Sequence, residues 1–273
     1  WFELATAWFD PSRAVLPIDQ VFPPGQTTQQ RNEESAAMMV DSQQEAKAAA
    51  LTELGYDVPA ALTVHSLTDD SASEGILQAG DVILDVDGRS VTDATGVRGI
   101  VAEGQGAPVE FTIVRGGEEQ TVTVTPSAEE TVAGTAWIVG IQLTVEYDFP
   151  IDVEIQLDNV GGPSAGMMFA LGIMDMLEPD SLTGGQRFAG TGTINAAGQV
   201  GPIGGIRQKL YGARSAGAEW FLAPEANCNE VVGHVPDGLR VFSVGTLEDA
   251  LDVLQTVREG GDLDALPTCT AAS

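Results

Sequence analysis

Two glycine-rich stretches decide how this chain is read. One is Gly161-Gly162-Pro163-Ser164-Ala165-Gly166, running into the apolar Met167-Met168-Phe169-Ala170-Leu171. The other is Gly201-Pro202-Ile203-Gly204-Gly205-Ile206-Arg207-Gln208-Lys209-Leu210. The first sets a serine hydroxyl at the start of an apolar helix, with proline where a missing N–H costs no helical hydrogen bond. The second sets a lysine inside a helix that follows a glycine turn. A serine and a lysine brought together can run acyl transfer without histidine. The chain contains only His65, in a predicted strand, and His234, in a loop beside Pro236.

Serine after proline at a helix start is commonly a cap or first-turn residue, so the hydroxyl alone says little. Its surroundings say more. Gly161 and Gly162 let backbone approach a substrate closely. The free N–H groups of a helix start favour negative charge, the environment an oxyanion needs. The predicted donors are the amide of Ser164 and one from Gly161 or Gly162. A helical lysine is nearly always a solvated charge. To act as a base, Lys209 must be neutral, which requires an apolar site that lowers its pKa. Ile203, Ile206 and Leu210 are the residues available to build one.

The chain has 273 residues with 43% hydrophobic content, enough for one large domain or two small ones with a real core. A net charge of −28 argues against nucleic acid and against docking on an anionic membrane, and reads most simply as solubility. No apolar run approaches the roughly 18 residues of a membrane helix. The chain opens on Trp1-Phe2-Glu3-Leu4 rather than Met. It is expected to be a fragment whose N-terminal part, an anchor or a signal, has been cut away. Cys228 and Cys269 match no zinc spacing. A disulfide between them would tie down the polar tail after Pro267 and imply an oxidising compartment. No metal site and no cofactor are expected. No GxxxxGK[ST] pattern occurs, so nucleotide hydrolysis is not expected either.

Residues 1–58 read as a short helix, a proline-rich extended stretch, and a helix over Thr28–Leu54 stopped by Gly55. This segment is expected to pack on the second domain. Residues 59–127 form a β-rich unit, with a strand at 62–67, a helix over 92–102, and a hairpin of 109–115 and 120–125. Residues 128–134 read as a polar linker. Residues 135–260 form the second domain, with strands at Trp137–Tyr147 and Ile151–Leu157, and 261–273 are a tail. Strands and helices in mixed order give an α+β fold class.

The run GILQAGDVILDVDGRSV (75–91) resembles a PDZ domain of the bacterial protease-associated kind. That resemblance implies binding of extended peptides, often C-terminal ones, by strand addition. The loop Leu54–Val58 is either its carboxylate-holding loop or simply a helix end. From about Phe149 to Leu254 the chain resembles the proteolytic domain of Lon proteases, through GGPSAG, Ala189–Ile194 with Gly198-Gln199-Val200, and GPIGGIRQKL. This implies Ser164 as nucleophile, Lys209 as general base and Thr191 as the residue whose hydroxyl orients the lysine. Lon enzymes commonly carry acidic residues where Gly161 and Thr193 stand, which alters the electrostatics of the substrate cleft. The domain order is similar to PDZ-containing Lon-like proteases of bacteria. Membrane anchoring, an extracytoplasmic location, ATP-independence, peptide or unfolded-protein substrates and a ring-shaped homo-oligomer, by expectation a hexamer, are what the resemblance implies. The rival reading is a non-catalytic PDZ adaptor on an inert Lon-like body.

Overall fold

The computed structural model describes residues 27–131, 134–156 and 162–270. Expectations for residues 1–26, for Leu157 and Gly161, and for the last three residues lie outside these. The chain forms two compact units, Val58–Phe149 and the remainder on either side of it.

In the unit 58–149, β1 (Ala60–Leu67), β2 (Val82–Val86), β3 (Arg89–Ser90), α1 (Ala94–Glu103), β4 (Val109–Arg115) and β5 (Glu118–Val124) follow in chain order. Next come β6 (Ser127–Thr131), β7 (Gly134–Ile138) and β8 (Ile141–Tyr147). The main sheet runs β5-β4-β2-β1-β8, with β3 on β2. Val64, Phe111 and Ile113 are fully buried in its core, beneath Val97, Ile100 and Val101 of α1.

The division differs from the sequence reading. Residues 128–134 are not a linker, because β6 and β7 pair as a hairpin. Trp137–Tyr147 belongs to this unit rather than to the second domain. The reason is strand pairing: β8 runs antiparallel to β1 from Ala60↔Tyr147 to Leu67↔Ile141, and Ile141, Leu143 and Val145 pack on the same core. This completes a sheet that would otherwise expose β1 as an unpaired edge.

The turn into β8 is pinned from one side. Thr68 N–H donates to the Gly140 carbonyl, as does Ser71 Oγ at 2.7 Å, and Ser73 Oγ donates to the Val139 carbonyl at 2.7 Å. Gly140 has φ +71°, and a Cβ there would lie 2.8 Å from the Ser71 Cα, so only glycine fits. In a trans peptide C=O and N–H point opposite ways. The N–H groups of Gly140 and Ile141 are therefore turned outward. β8 ends the sheet, with no further strand among the described residues.

The other unit begins with α2 (Thr28–Glu53), entered through a capping box of Thr27 and Gln30. After the first unit come a 3-10 turn (Pro163–Ala165) and α3 (Gly166–Leu177), then β9 (Phe188–Gly190), β10 (Thr193–Ile194) and β11 (Val200–Gly201). α4 (Ile206–Ser215), β12 (Trp220–Pro224), α5 (Cys228–Val231), β13 (Arg240–Val244) and α6 (Leu247–Glu259) complete it. β9, β12 and β13 form a parallel sheet with β12 central, and β10 and β11 form a separate hairpin. Ala46, Ala49 and Ala50 of α2 bury against Met167, Ala170 and Met174 of α3. These small residues let the two helices approach closely. The strand expected over Ile151–Leu157 does not form across the described residues 151–156.

The tail is held to the body. Ser243 N–H donates to the Pro267 carbonyl, Arg240 reaches the Leu263 carbonyl and Asp264, and Cys269 is disulfide-bonded to Cys228 with Cα atoms 4.9 Å apart.

Candidate active site

The structure brings Ser164 and Lys209 together. Lys209 Nζ donates to Ser164 Oγ at 3.0 Å, from residues 45 positions apart. Ser164 sits in the 3-10 turn that leads into α3, and Lys209 in the first turns of α4. Ile206 and Leu210, both fully buried, anchor α4 on either side of the lysine. Burial pushes the Lys209 amine below its ordinary value of about 10.5, toward the neutral form a base requires. Among the described residues it has no carboxylate partner.

The nucleophile segment is braced on several sides. Gly192 N–H donates to the Ser164 carbonyl at 2.9 Å, and Met167 N–H donates back to the Gly192 carbonyl at 3.1 Å. Thr191, 1% exposed, donates its hydroxyl to the same Ser164 carbonyl at 2.8 Å. This hydrogen bond fixes the backbone of the serine, and the bond formed by Lys209 Nζ goes to Ser164 Oγ rather than to the Thr191 hydroxyl expected to orient it. Gly166 sits where a Cβ would lie 2.9 Å from Ser42 Oγ and 3.0 Å from Ile194, so the start of α3 can lie flat on its neighbours only without a side chain.

The expected oxyanion donors divide. Gly162 N–H points to the Ser35 carbonyl of α2, at 3.4 Å, rather than into the site. Gly161 lies outside the described residues, and Pro163 has no N–H. This leaves the Ser164 amide as the donor adjoining the hydroxyl.

Three residues escaped sequence reasoning. Asn227, 3% exposed, accepts from Ile203 N–H and donates to the Ile203 carbonyl, both at 2.9 Å, clamping the turn that leads into α4. Ser42 donates to the Pro163 carbonyl at 3.3 Å, and the Glu45 carboxylate accepts from Ala196 N–H at the tip of the β10–β11 hairpin. An asparagine, a serine and a glutamate in ordinary helical or loop sequence carry no local signal of such contacts. His65 and His234 take no part in the Ser164–Lys209 contact. No group of three or more His, Cys, Asp or Glu among the described residues is placed to hold a metal ion. An apolar cavity of about 390 Å³, lined by Met168, Leu171, Phe188, Ala213 and Leu222, has neither Ser164 nor Lys209 in its wall.

The loop Leu54–Val58 resolves as a helix end. The N–H groups of Leu54, Gly55 and Tyr56 donate to the Ala50, Thr52 and Leu51 carbonyls. They are thus spent on the last turn of α2 and are not free to hold a carboxylate.

Residues 151–257 match the model of the Lon protease (S16) C-terminal proteolytic domain, and residues 33–125 match that of the PDZ domain. The chain carries a Lon-type proteolytic domain and a PDZ domain. The Lon protease of Halothermothrix orenii is 33% identical over 122 residues, 44% of this chain and 15% of that protein. Lon protease 2 of Bacillus subtilis is 32% identical over 108 residues, 38% of this chain and 19% of that protein. This chain thus aligns with less than a fifth of either relative's length. A solved PDZ domain of the SdrC-like protein from Listeria monocytogenes matches 30% of this chain and 85% of its own, at 23% identity and a TM-score of 0.27. The PDZ match begins inside α2 and stops before β8, whereas the compact unit begins after α2 and includes β8. The Lon-type domain, for its part, draws in α2, which lies outside the matched stretch.

Proposed function

We propose that the chain is an ATP-independent serine endopeptidase that cuts peptides or unfolded proteins with a Ser164–Lys209 dyad. One observation carries the reading: a lysine amine biased toward neutrality by burial lies 3.0 Å from a serine hydroxyl, with no carboxylate partner among the described residues. In the reaction, Ser164 Oγ attacks the substrate carbonyl carbon while Lys209 takes its proton. The Ser164 amide stabilises the oxyanion. The intermediate then collapses, the C–N bond breaks and Lys209 returns the proton to the leaving amine. Water attacks the acyl-enzyme by the same relay and frees Ser164. ATP-independence rests on the family resemblance. An inert adaptor body would have no use for a desolvated amine held against a serine.

The PDZ domain would take an extended peptide as one more strand on the free edge of β8. The outward amides of Gly140 and Ile141 are suited to a terminal carboxylate. The Cys228–Cys269 disulfide supports an oxidising compartment outside the cytoplasm. Membrane anchoring and assembly into a ring, by proposal a hexamer, rest on the family resemblance.

The test is cleavage of an unfolded protein by wild type, Ser164→Ala and Lys209→Ala, each with and without ATP. Cleavage lost in both variants and indifferent to ATP supports the reading. Cleavage that survives either substitution, or that requires ATP, refutes it.

A further inference from the structure

The helix that precedes the PDZ domain takes part in setting the nucleophile. Ser35, Ser42 and Glu45 lie on one face of α2, at i, i+7 and i+10. All three contact loops of the proteolytic domain: the Gly162 amide, the Pro163 carbonyl and the Ala196 amide. Ser42 is the closest of them in effect to the reacting group. It is 5% exposed, deep in the seam between α2 and α3. A helical serine so placed commonly folds its hydroxyl back onto the carbonyl four residues earlier. This one reaches across 121 residues of sequence to Pro163 instead.

That bond joins the Gly166 N–H of the 3-10 turn, which also donates to the Pro163 carbonyl, and the two together fix a plane. The Pro163–Ser164 peptide is trans, so holding its C=O toward α2 turns the Ser164 N–H the opposite way. The next plane is held independently, because Gly192 N–H and Thr191 Oγ1 grip the Ser164 carbonyl. Ser164 is thus clamped before and after its Cα, once by α2 and once by the β9–β10 connection.

We propose that Ser42 is a positioning residue: through the Pro163 carbonyl it aims the Ser164 amide that receives the oxyanion. The inference rests on the Ser–Lys protease reading above. It adds that the stretch matching the Lon family is incomplete without α2. An oxyanion donor contributes only if its direction is set before the charge develops. Ser42 therefore acts on transition-state binding and leaves ground-state binding alone.

The experiment compares the full chain with Ser42→Ala and with Ala46→Gly. Ala46 is also buried in the α2–α3 seam, so Ala46→Gly loosens α2 without removing the hydrogen bond. For Ser42→Ala we expect kcat to fall about tenfold with KM changed by less than about twofold. Affinity for a peptide boronic acid, which mimics the tetrahedral intermediate, should fall by the same factor as kcat. Ala46→Gly should lower Tm while leaving kcat and boronate affinity in place. The proposal is overturned if Ser42→Ala matches wild type in kcat and boronate affinity, or if Ala46→Gly loses as much as Ser42→Ala. If wild type cleaves nothing, the protease reading fails separately. The positioning claim is then read from the Ser164 amide resonance, which should move in Ser42→Ala and hold in Ala46→Gly; an unmoved resonance in Ser42→Ala overturns it.

Discussion

Two ionisable groups, one in each domain, are withdrawn from water and handled in opposite ways. In the PDZ domain, Asp81 is fully buried. Burial pushes its carboxyl up, but Arg115 hydrogen bonds at 2.6 and 2.7 Å, the Gln78 N–H and the arginine charge together hold it below its ordinary 3.8. Arg115 in turn reaches the Ile76 carbonyl, so the pair ties a loop to the sheet. In the proteolytic domain, Lys209 is half-buried with a serine hydroxyl as its recorded partner, and burial drives it toward neutrality. A satisfied charge is structural. A desolvated amine with no carboxylate partner among the described residues is destabilising, as expected of the proposed base.

Substitutions at the two sites should therefore have opposite consequences. The largest expected effect is Lys209→Met, which should cut turnover by a factor of about a thousand or more while leaving the denaturation midpoint equal to or above that of wild type. A destabilised Lys209→Met chain would remove the contrast. Next, Asp81→Ala strands Arg115 and should cost about 3–5 kcal/mol in unfolding of the PDZ domain, followed by denaturant titration, while cleavage of a short peptide persists. The double variant Asp81→Leu/Arg115→Met should recover much of that loss, because an apolar pair removes both desolvation penalties. A smaller loss is expected for Cys269→Ser. Its bond closes a loop with a sequence separation of 41, and opening it should cost about 2–4 kcal/mol. Calorimetry with and without reductant should show the same drop in wild type and none in the variant.

The pH dependences also separate the two groups. Cleavage should rise with pH through a single ionisation below 10.5, as Lys209 loses its proton. Because the folded-state pKa of Lys209 is depressed, the unfolded chain binds more protons between that value and 10.5. Stability of the proteolytic domain should therefore rise with pH across this window, and the rise should vanish in Lys209→Met. Asp81 is depressed relative to 3.8, so its contribution is complete above that value and is lost only as pH falls through the lower folded-state pKa. Amide exchange resolved by domain would detect either trend, and loss of PDZ stability at pH 5 would contradict the second.

Much of the fold was legible because its signals are local. The hairpin of β4 and β5 follows from alternation around Gly116-Gly117. α6 follows from its apolar stripe, its Thr246–Asp249 capping box and the left-handed Gly260. The linker expected at 128–134 falls inside the unit Val58–Phe149 because β8 is assigned by its partner. Its alternating sequence suits either domain, and only pairing with β1, more than 70 residues earlier, decides which. Thr191 lies beside Ser164, and its hydroxyl donates to the Ser164 carbonyl, a preference that spacing cannot express.

What the sequence determined by itself was the presence of a serine at a proline-led helix start, a lysine after a glycine turn, and glycines where backbone must pass close to its neighbours. These are properties of short segments, set by sterics and by the helix start. What only the tertiary structure decided was their meeting: the 3.0 Å contact of Ser164 and Lys209, the withdrawal of the Gly162 amide toward α2, and the contacts of Ser42, Glu45 and Asn227. Each joins residues between 24 and 151 positions apart. Such contacts depend on how buried surfaces close upon one another, and no local propensity encodes that.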